Sequence, residues 1–172
     1  MNSKDLILEF HEFDLGRVLA DRDAIRAINP QRGPIEQLTA IVFEDIERGI
    51  CVGYKDVADD EFWVGGHMPG LPLMPGVMMC EAAAQLCSYH VQKYNMLQTE
   101  MIGFGGLDNV RFRGVVVPGD RLVVVAQKVQ LRPKRIMRCR FQCFVKENLV
   151  CAGELTGIPI PTELLRAGLA AK

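Results

Sequence analysis

The sequence predicts an α+β fold in which one antiparallel sheet curls around one long central helix. Two strand-like runs come first, at residues 37–45 and 49–57, and the charged turn between them is typical of a hairpin. A long helix pattern follows at residues 77–94, and the rest of the chain returns to strand-like alternation. Because this helix is apolar nearly all round, it has to be covered by other structure, and a sheet wrapped around it meets that need.

Length and composition are those of an ordinary soluble globular protein. The 172 residues suit one domain, and hydrophobic residues make up 49% and charged residues 24% of them. The formal net charge of -1 argues against nucleic-acid binding as the main function. No apolar stretch approaches the roughly 20 residues of a membrane helix, and the first residues do not resemble a signal peptide. We therefore expect a cytoplasmic protein without membrane insertion.

The six cysteines form no C-x-x-C pair and sit among Val, Met, Phe and Ala. Such surroundings favour buried thiols in a reducing cytoplasm over disulfides or a zinc site, so no metal is expected. The six residues are Cys51, Cys80, Cys87, Cys139, Cys143 and Cys151.

The first expected element is a short helix. Residues 1–20 have no clear periodicity and are expected to be partly loose. The run "DRDAIRAINP" then predicts a helix with Asp21 or Asp23 as its N-cap and Pro30 as its stop. The run "PQRGP" at 30–34 predicts a loop that leads into the hairpin.

The helix at 77–94, "VMMCEAAAQLCSYHVQKY", has no Pro or Gly and would run about 27 Å at about 1.5 Å per residue. Strand patterns follow at residues 101–113, 121–131, 136–146 and 149–159. The third of them alternates cleanly, which predicts a strand with one face in water. Its expected core face is Met137, Cys139, Phe141, Cys143 and Val145, and its expected water face is Arg138, Arg140, Gln142 and Lys146.

A Gly/Pro-rich segment at 65–76 precedes the long helix and holds His67 beside a Pro-Gly pair. Glu81 follows about one turn into the helix, on one face with Val77, Ala84, Gln85 and Ser88. A lone carboxylate on an apolar helix is costly, so it is expected to have a partner or to be protonated. An imidazole, a carboxyl group and the free amides of a helix start suit proton removal beside a carbonyl. A satisfied loop histidine and a solvent-facing glutamate remain the alternative interpretation.

The segment "GHMPGLPLMPGVMMCEAAAQ" from Gly66 to Gln85 resembles the family pattern G-H-F-P-G-x-P-x-x-P-G-V-L-x-x-E-A-x-A-Q. That pattern is typical of the 3-hydroxyacyl-[acyl-carrier-protein] dehydratases of bacterial type II fatty-acid synthesis, the FabZ branch of the hotdog-fold superfamily. A second block, "GFGGLDNVRFRGVVVPGD" at 103–120, is similar to the family's "FVGIDKARFRRPVVPGD". The resemblance covers roughly residues 35 to 160.

The resemblance implies a hotdog fold and a reaction. In such enzymes the histidine and the glutamate are the catalytic pair, here His67 and Glu81, and two subunits share each site. The substrate is a (3R)-3-hydroxyacyl chain on the phosphopantetheine arm of acyl carrier protein, and loss of water gives the trans-2-enoyl thioester. His67 is the expected base at C2 and Glu81 the expected acid, with the opposite proton traffic left open. No metal or dissociable cofactor is implied.

The match has departures. Met68 stands where the family has Phe, and the family's leading segment L-P-H-R-Y-P-F-L-L-V-D survives only as Pro30, Arg32 and Pro34. In that segment Gln31 replaces the histidine, Gly33 the tyrosine and Glu36-Gln37 the paired leucines, which puts chain-length preference and the natural carrier in question. On this basis the chain divides into an N-terminal extension with a short helix, a hotdog dehydratase domain and a C-terminal tail. These segments are residues 1–34, 35–160 and 161–172.

Further residues are expected to bind substrate. The amides of Gly76 and Val77 would polarise the thioester carbonyl. Gln85, Met68, Phe104 and Phe112 would contact the acyl chain, although simple packing fits the two aromatic residues equally well. A basic surface would steer the acidic carrier, with a merely solvated strand face as the alternative. Its expected members are Arg111, Arg113, Arg135 and Arg138.

Assembly and rival functions complete the expectations. The run "MIGFGGLDNVRF" would offer an apolar edge strand to a second copy, so we expect a two-fold dimer. The family resemblance implies that the two copies share the active site, and a trimer of such dimers is the larger assembly considered. A hotdog acyl thioesterase and a non-catalytic acyl-carrier-binding module remain as alternatives. An added double-bond isomerase activity is a narrower one, although the relatives known for it carry Asp in place of Glu81.

Overall fold

A computed structural model describes residues 6–163 and 166–167. They form a six-stranded antiparallel sheet and one long helix, with a short helix before the sheet. The helices are α1 (Arg22–Arg26) and α2 (Gly76–Lys93). The strands are β1 (Ala40–Asp45), β2 (Ile50–Asp56), β3 (Ile102–Phe112), β4 (Arg121–Arg132), β5 (Ile136–Val145) and β6 (Asn148–Pro159). The α+β prediction and its order of elements are confirmed.

The strands lie in the order β1-β2-β4-β5-β6-β3, and every neighbouring pair is antiparallel. The predicted hairpin is present as β1 and β2, with Ala40 opposite Tyr54 and Asp45 opposite Ile50. The chain crosses the sheet twice without pairing neighbours, from β2 to β3 and from β3 to β4. Strand β3 therefore lies at one edge of the sheet, as predicted for the segment expected to meet a second copy.

Helix α2 packs across one face of the sheet. The helix buries Ala82, Ala83 and Leu86 completely, and only its first turns and its last residues reach the surface. Met137, Cys139, Phe141 and Cys143 of β5 form the core beneath it, as their alternation predicted. The small side chains of α2 let the sheet pack closely against the helix.

The opposite face of the sheet differs from the prediction. Residues 6–15 pack against it and form a second apolar cluster, in which Phe10 meets Phe144 edge-on with ring centroids 5.1 Å apart. The N–H of Ile7 donates to Gln142 Oε1 at 2.9 Å. Gln142 is therefore buried rather than water-facing, and residues 6–15 are packed rather than loose, while residues 1–5 of the expected loose segment lie outside the described residues. The sequence hides this packing because the segment is apolar without a regular period.

Two predicted boundaries were also wrong. Helix α1 is capped by Asp21, whose carboxylate accepts from the N–H of Ala24 at 2.9 Å, but it ends well before Pro30. The guanidinium of Arg32 occupies the carbonyl oxygens of Arg26 and Asn29, which lets the chain leave the helix early. Strand β1 begins at residue 40 rather than 37, because the N–H of Gln37 is bonded to a side chain of α2 instead of to the sheet.

The predicted burial of the cysteines is confirmed. All six thiols are free and buried. Burial raises the pKa of the Cys51 thiol, which is typical of an unreactive core cysteine. Within the residues that the structure describes, no helix has an apolar window long enough to cross a membrane.

Candidate active site

The Gly/Pro-rich loop between β2 and α2 is held by its own backbone. The N–H of Leu73 donates to the carbonyl of His67 at 2.8 Å, and Met68 and Leu71 exchange two further bonds at 3.0 and 2.9 Å. Gly70 has φ of 75°, the left-handed conformation that glycine adopts without strain. Turn residues and prolines thus fold the loop back on itself and fix the backbone on both sides of His67.

The ring of His67 has a defined tautomer. Its Nδ1 lies 2.8 Å from the carbonyl oxygen of Leu73. Because a carbonyl can only accept a hydrogen bond, Nδ1 carries the hydrogen of the neutral ring and Nε2 keeps its lone pair. Nε2 has no partner among the described residues. The loop therefore presents an imidazole nitrogen that is ready to accept a proton.

Glu81 is held from behind by the next turn of α2. Gln85 Nε2 donates to Glu81 Oε1 at 2.8 Å and also to the carbonyl of Ile35 at 2.7 Å. Gln85 Oε1 accepts from the N–H of Gln37 at 2.8 Å. These bonds leave Glu81 Oε2 as the carboxyl oxygen without a partner in the described chain, so Oε2 is the atom that a substrate would meet.

A cavity of about 140 Å³ opens in front of Glu81. Its helix side is Glu81, Ala84 and Ser88, which confirms the face predicted from their spacing. The other walls come from the start of β3, from β5 and β6, and from the loop before β1. They include Gln31, Ile102, Phe104, Met137 and Leu155. His67 does not line this cavity, so one chain does not bring its two predicted catalytic groups to the same space.

Comparisons with known proteins assign the chain to a family. The family model described as "FabA-like domain" matches residues 29–154. The chain belongs to the FabA-like family. A relative from Moorella thermoacetica, named 3-hydroxyacyl-[acyl-carrier-protein] dehydratase FabZ, is 38% identical over 136 residues. That match covers 78% of this chain and 93% of the relative.

The described sheet and helix form a hotdog fold, as the resemblance implied, and solved structures match it. The dehydratase heterocomplex ApeI:P from Xenorhabdus doucetiae matches with a TM-score of 0.66 at 15% identity, over 83% of this chain and 95% of that one. A putative thioesterase from Ralstonia eutropha matches with a TM-score of 0.55 at 15% identity, over 69% and 82% of the two chains. At such identities the likeness concerns the fold alone.

The residues predicted to bind substrate occupy three settings. Phe104 lines the cavity in front of Glu81. Met68 and Val77 are 50% and 68% exposed, on the surface around the loop and the helix start. Phe112 closes over that start, since a Cβ added to Gly76 would lie 2.9 Å from its ring. A side chain at residue 76 would therefore displace the exposed Phe112 ring.

Gln85 was predicted to touch substrate, but the structure places it behind Glu81. It is 2% exposed, and both hydrogens of its amide are donated to protein acceptors. Its geometry is that of a brace for the carboxyl group, which the spacing of four residues already indicated. A direct substrate contact by Gln85 stays a prediction without a free donor to support it.

The four arginines predicted to meet a carrier do not form one surface. Arg111 and Arg113 are exposed and line a shallow cavity together with Arg140. Arg135 lies in the β4–β5 turn, where the neighbouring Lys134 N–H bonds to the carbonyl of Leu97, just beyond the far end of α2. Arg138 is exposed on β5, between the two groups.

Gln31 is a wall of the cavity that sequence reasoning did not predict to be a site residue. It lies in the irregular loop before β1, so no periodicity could place it against α2. Arg32 fixes this loop by donating to the carbonyl oxygens of Asn29 at 2.7 Å and Gln31 at 2.6 Å. The one available signal was that Gln31 stands at a position where the family pattern carries another polar residue.

A cluster of ionisable side chains lies at the other end of α2. Ligand-type atoms of Glu44, Cys51 and His90 lie within 4.8 Å of one another. Lys93, however, already makes an ion pair with Glu44, so the carboxylate has its counter-charge within the protein. The cluster is accounted for as an ion-pair network of Glu44, His90 and Lys93.

Proposed function

We propose that this chain is a (3R)-3-hydroxyacyl-acyl carrier protein dehydratase that releases water and a trans-2-enoyl thioester. Membership of the FabA-like family and the similarity to a relative named as such a dehydratase support the reaction class. The observation that carries the assignment is the pair of free atoms, His67 Nε2 on the loop and Glu81 Oε2 at the cavity. One can accept a proton and the other can deliver one.

His67 is the proposed base. Its Nε2 takes the proton from C2 of the bound acyl thioester, and the carbonyl of Leu73 stabilises the imidazolium through Nδ1–H. The electron pair of the C2–H bond becomes the C2–C3 double bond. Because the loop is pinned by backbone bonds, the ring needs little reorganisation before the reaction.

Glu81 is the proposed acid. Gln85 occupies Oε1 with an N–H donor, so a proton on the carboxyl group resides on Oε2, which faces the cavity. This proton joins the hydroxyl group that leaves C3, and the products are water and the enoyl thioester. The first amides of α2, at Gly76 and Val77, are proposed to bind the thioester carbonyl, because the helix start has no side-chain cap.

The site is proposed to form between two copies of the chain, as the family resemblance implies. His67 does not line the cavity that holds Glu81, which supports a base for that cavity from a second copy. Apolar side chains are exposed along β3 and around the helix start, where such a copy would pack. They include Met68, Leu71, Val77, Phe104 and Val115. A two-fold dimer, or a trimer of such dimers, would cover them.

The natural substrate carrier is proposed to be acyl carrier protein in the cytoplasm, in fatty-acid or a related lipid synthesis. No dissociable cofactor or metal is needed for this proton chemistry, since the thioester itself acidifies C2. The acyl chain arrives on a phosphopantetheine arm, and the exposed arginines supply positive charge for an acidic carrier.

A spectrophotometric assay tests the reaction. Purified protein is given 3-hydroxyacyl thioesters of several chain lengths, and the absorbance of the conjugated 2-enoyl thioester is followed together with the release of free thiol. We expect enoyl thioester without thiol, and no product from the His67→Ala variant. Thiol release at a comparable rate would favour an acyl thioesterase. The absence of both products would favour a non-catalytic module.

A further inference from the structure

A buried ion pair joins β2 to the turn that leads to His67. Lys55 Nζ lies 2.5 Å from Glu61 Oε1, and the exposed fractions of the two side chains are 6% and 10%. Among the described residues, it is the most deeply buried pair that a lysine or an arginine makes with a carboxylate. Because the attraction of two buried charges hardly outweighs the cost of removing them from water, stability alone does not explain the pair.

Lys55 is placed on the face of β2 that packs against α2. Cys51 belongs to the core cluster around that helix, whereas Val52 and Tyr54 belong to the cluster on the opposite face of the sheet. Since successive residues of a strand point to opposite faces, Lys55 shares the face of Cys51. A lysine on this face needs a carboxylate within the protein, and Glu61 supplies it.

Backbone bonds connect Glu61 to His67. The carbonyl of Glu61 accepts from the N–H of Val64 at 2.9 Å, and the carbonyl of Trp63 accepts from the N–H groups of Gly66 at 3.1 Å and His67 at 2.8 Å. The side chain of Trp63 is buried in the core around α2. The chain from Glu61 to His67 is therefore one hydrogen-bonded turn with two anchors, the ion pair and the indole ring.

The other side of the His67 loop is held separately. The N–H of Met74 donates to the carbonyl of Val116 at 2.8 Å, which ties this side to the segment before β4. The carbonyl of the neighbouring Leu73 is the partner of His67 Nδ1, also at 2.8 Å. The ring bond therefore depends on how the turn at 61–67 is placed against residues 73 and 74, and a shift of the turn would break it.

We propose that Lys55 and Glu61 are positioning residues that hold His67 in the orientation its role as the base requires. The ion pair fixes the start of the turn, and the turn sets where the imidazole meets the carbonyl of Leu73. Both residues act through His67 and not on the substrate. This role rests on the proposed assignment of His67 as the base, whose efficiency depends on its placement within about 1 Å.

Long-range ¹H–¹⁵N NMR spectra test the orientation of the ring, because they show which nitrogen of a neutral imidazole carries the hydrogen. The chain has three histidines, and the signal that His67→Ala removes identifies His67. The parent should show the Nδ1–H tautomer in alkaline buffer. Lys55→Met combined with Glu61→Gln removes the ion pair without leaving a buried charge unpaired, and it should give a mixture of both tautomers.

A second ion pair supplies the matched control. Lys93→Met combined with Glu44→Gln also neutralises a lysine and a glutamate, at the other end of α2. This variant should leave the His67 signal unchanged. Thermal melting verifies that each variant is folded before its spectrum is compared with that of the parent.

Turnover is the second measurement. The Lys55→Met, Glu61→Gln variant should lower kcat about 10- to 100-fold and change KM for 3-hydroxybutyryl-pantetheine by less than about twofold, since the base and not the binding of substrate is displaced. Lys55→Arg keeps a cation opposite Glu61 and should hold kcat within about fivefold of the parent. The control pair at the other end of α2 should keep kcat within about twofold.

An unchanged His67 tautomer in the Lys55→Met, Glu61→Gln variant would overturn the proposal, whatever the kcat, and so would an equal change in the control variant. If the first variant does not fold, Lys55→Met combined with Glu61→Met replaces it and is judged by the same spectrum. The spectra need no substrate, so this outcome is separate from that of the proposed function. A protein that dehydrates its substrate while the ring ignores loss of the ion pair would refute the positioning role alone.

Discussion

The two ends of α2 carry the same chemical groups in opposite arrangements. Near its start, Glu81 faces a cavity and His67 keeps a free Nε2 on a separate loop. Near its end, His90 Nδ1 lies 3.4 Å from Glu44 Oε1, and both side chains are buried, with exposed fractions of 3% and 7%. His90 Nδ1 and the Glu44 carboxylate contact each other, and His90 Nε2, which has no partner among the described residues, is shielded from solvent, so this pair is not available to a substrate. Under the proposed assignment, the acid and the base at the start of α2 stay unpaired until a substrate binds between them.

The largest expected effect is the loss of activity when the proposed acid or base at the start of α2 is removed. His67→Ala and Glu81→Gln should each lower kcat by about 100-fold or more, the usual scale of general acid–base catalysis, with a thermal midpoint close to that of the parent. Glu44→Gln is the matched control, because it neutralises the carboxylate that contacts His90 near the other end of the helix. Its kcat per folded molecule should stay within about twofold of the parent. Near-full activity in either site variant would refute the assignment.

The second prediction tests whether the acid and the base of one site come from different chains. Since His67 does not line the cavity of Glu81 in its own chain, the inactive variants should complement each other in mixed dimers. A heterodimer of His67→Ala with Glu81→Gln has one site in which both groups are intact, so activity should return toward half of the parent value. Mass spectrometry verifies that subunits have exchanged, and the separate variants, treated in the same way, are the control. Exchange without recovered activity would mean that both groups come from one chain.

The third prediction concerns the stability stored at the end of α2. Burial alone would raise the pKa of the Glu44 carboxyl group, but the bonds from His90 and Lys93 outweigh it and hold that pKa below its ordinary value of 4.5. A carboxyl whose pKa is lowered on folding stabilises the protein above its unfolded pKa, and this contribution disappears as the pH falls through the folded value. Glu44→Gln should therefore cost about 2 kcal/mol of unfolding free energy at pH 7, because the variant leaves Lys93 without its partner.

The pH dependence identifies the cause of that loss. Unfolding is measured at pH 7 and at pH values below 4.5 for the parent and for Glu44→Gln. The gap between the two proteins should narrow in acid, because the parent loses the same ion pair by protonation. Asp56→Asn removes a carboxylate from an exposed pair with Arg121 and should change stability by less than about 1 kcal/mol. A gap that stays constant down to acid pH would show that packing, and not charge, makes residue 44 important.

The sequence predicted most of the architecture because the architecture is periodic. The helix at 77–94 and the strands after residue 100 were placed to within one or two residues, since apolar side chains recur at the spacing that each element imposes. The packing of residues 6–15 on the sheet was not predictable, because it depends on shape and not on a repeat. The brace on Glu81 was half visible, as Gln85 lies four residues away, but its bonds to Ile35 and Gln37 join distant parts of the chain.

The smallest expected effect compares the two ends of α2 as docking surfaces. Arg111 and Arg113 flank Phe112 in sequence, and their side chains share a cavity with Arg140 on the face of the sheet opposite α2. The Phe112 ring closes over Gly76 at the start of the helix, whereas Arg135 lies in the turn beside the other end. An acidic carrier that delivers its arm to the helix start should therefore be attracted by Arg111 and Arg113 and hardly affected by Arg135. Rim charges act mainly on the rate of encounter, so the effect of reversing them is modest and depends on salt.

Arg111→Glu combined with Arg113→Glu should raise KM for an acyl-acyl carrier protein by about 3- to 10-fold at low ionic strength, with little change in kcat. Arg135→Glu is the control and should stay within about twofold of the parent. With a small pantetheine thioester both variants should match the parent, because that substrate has no acidic carrier to attract. High salt should shrink the difference, since exposed charges are screened beyond about 10 Å at 0.1 M ionic strength. A larger effect from Arg135→Glu would place the carrier at the far end of α2, and an equal loss on both substrates would mean that the arginine pair shapes the site itself rather than the encounter.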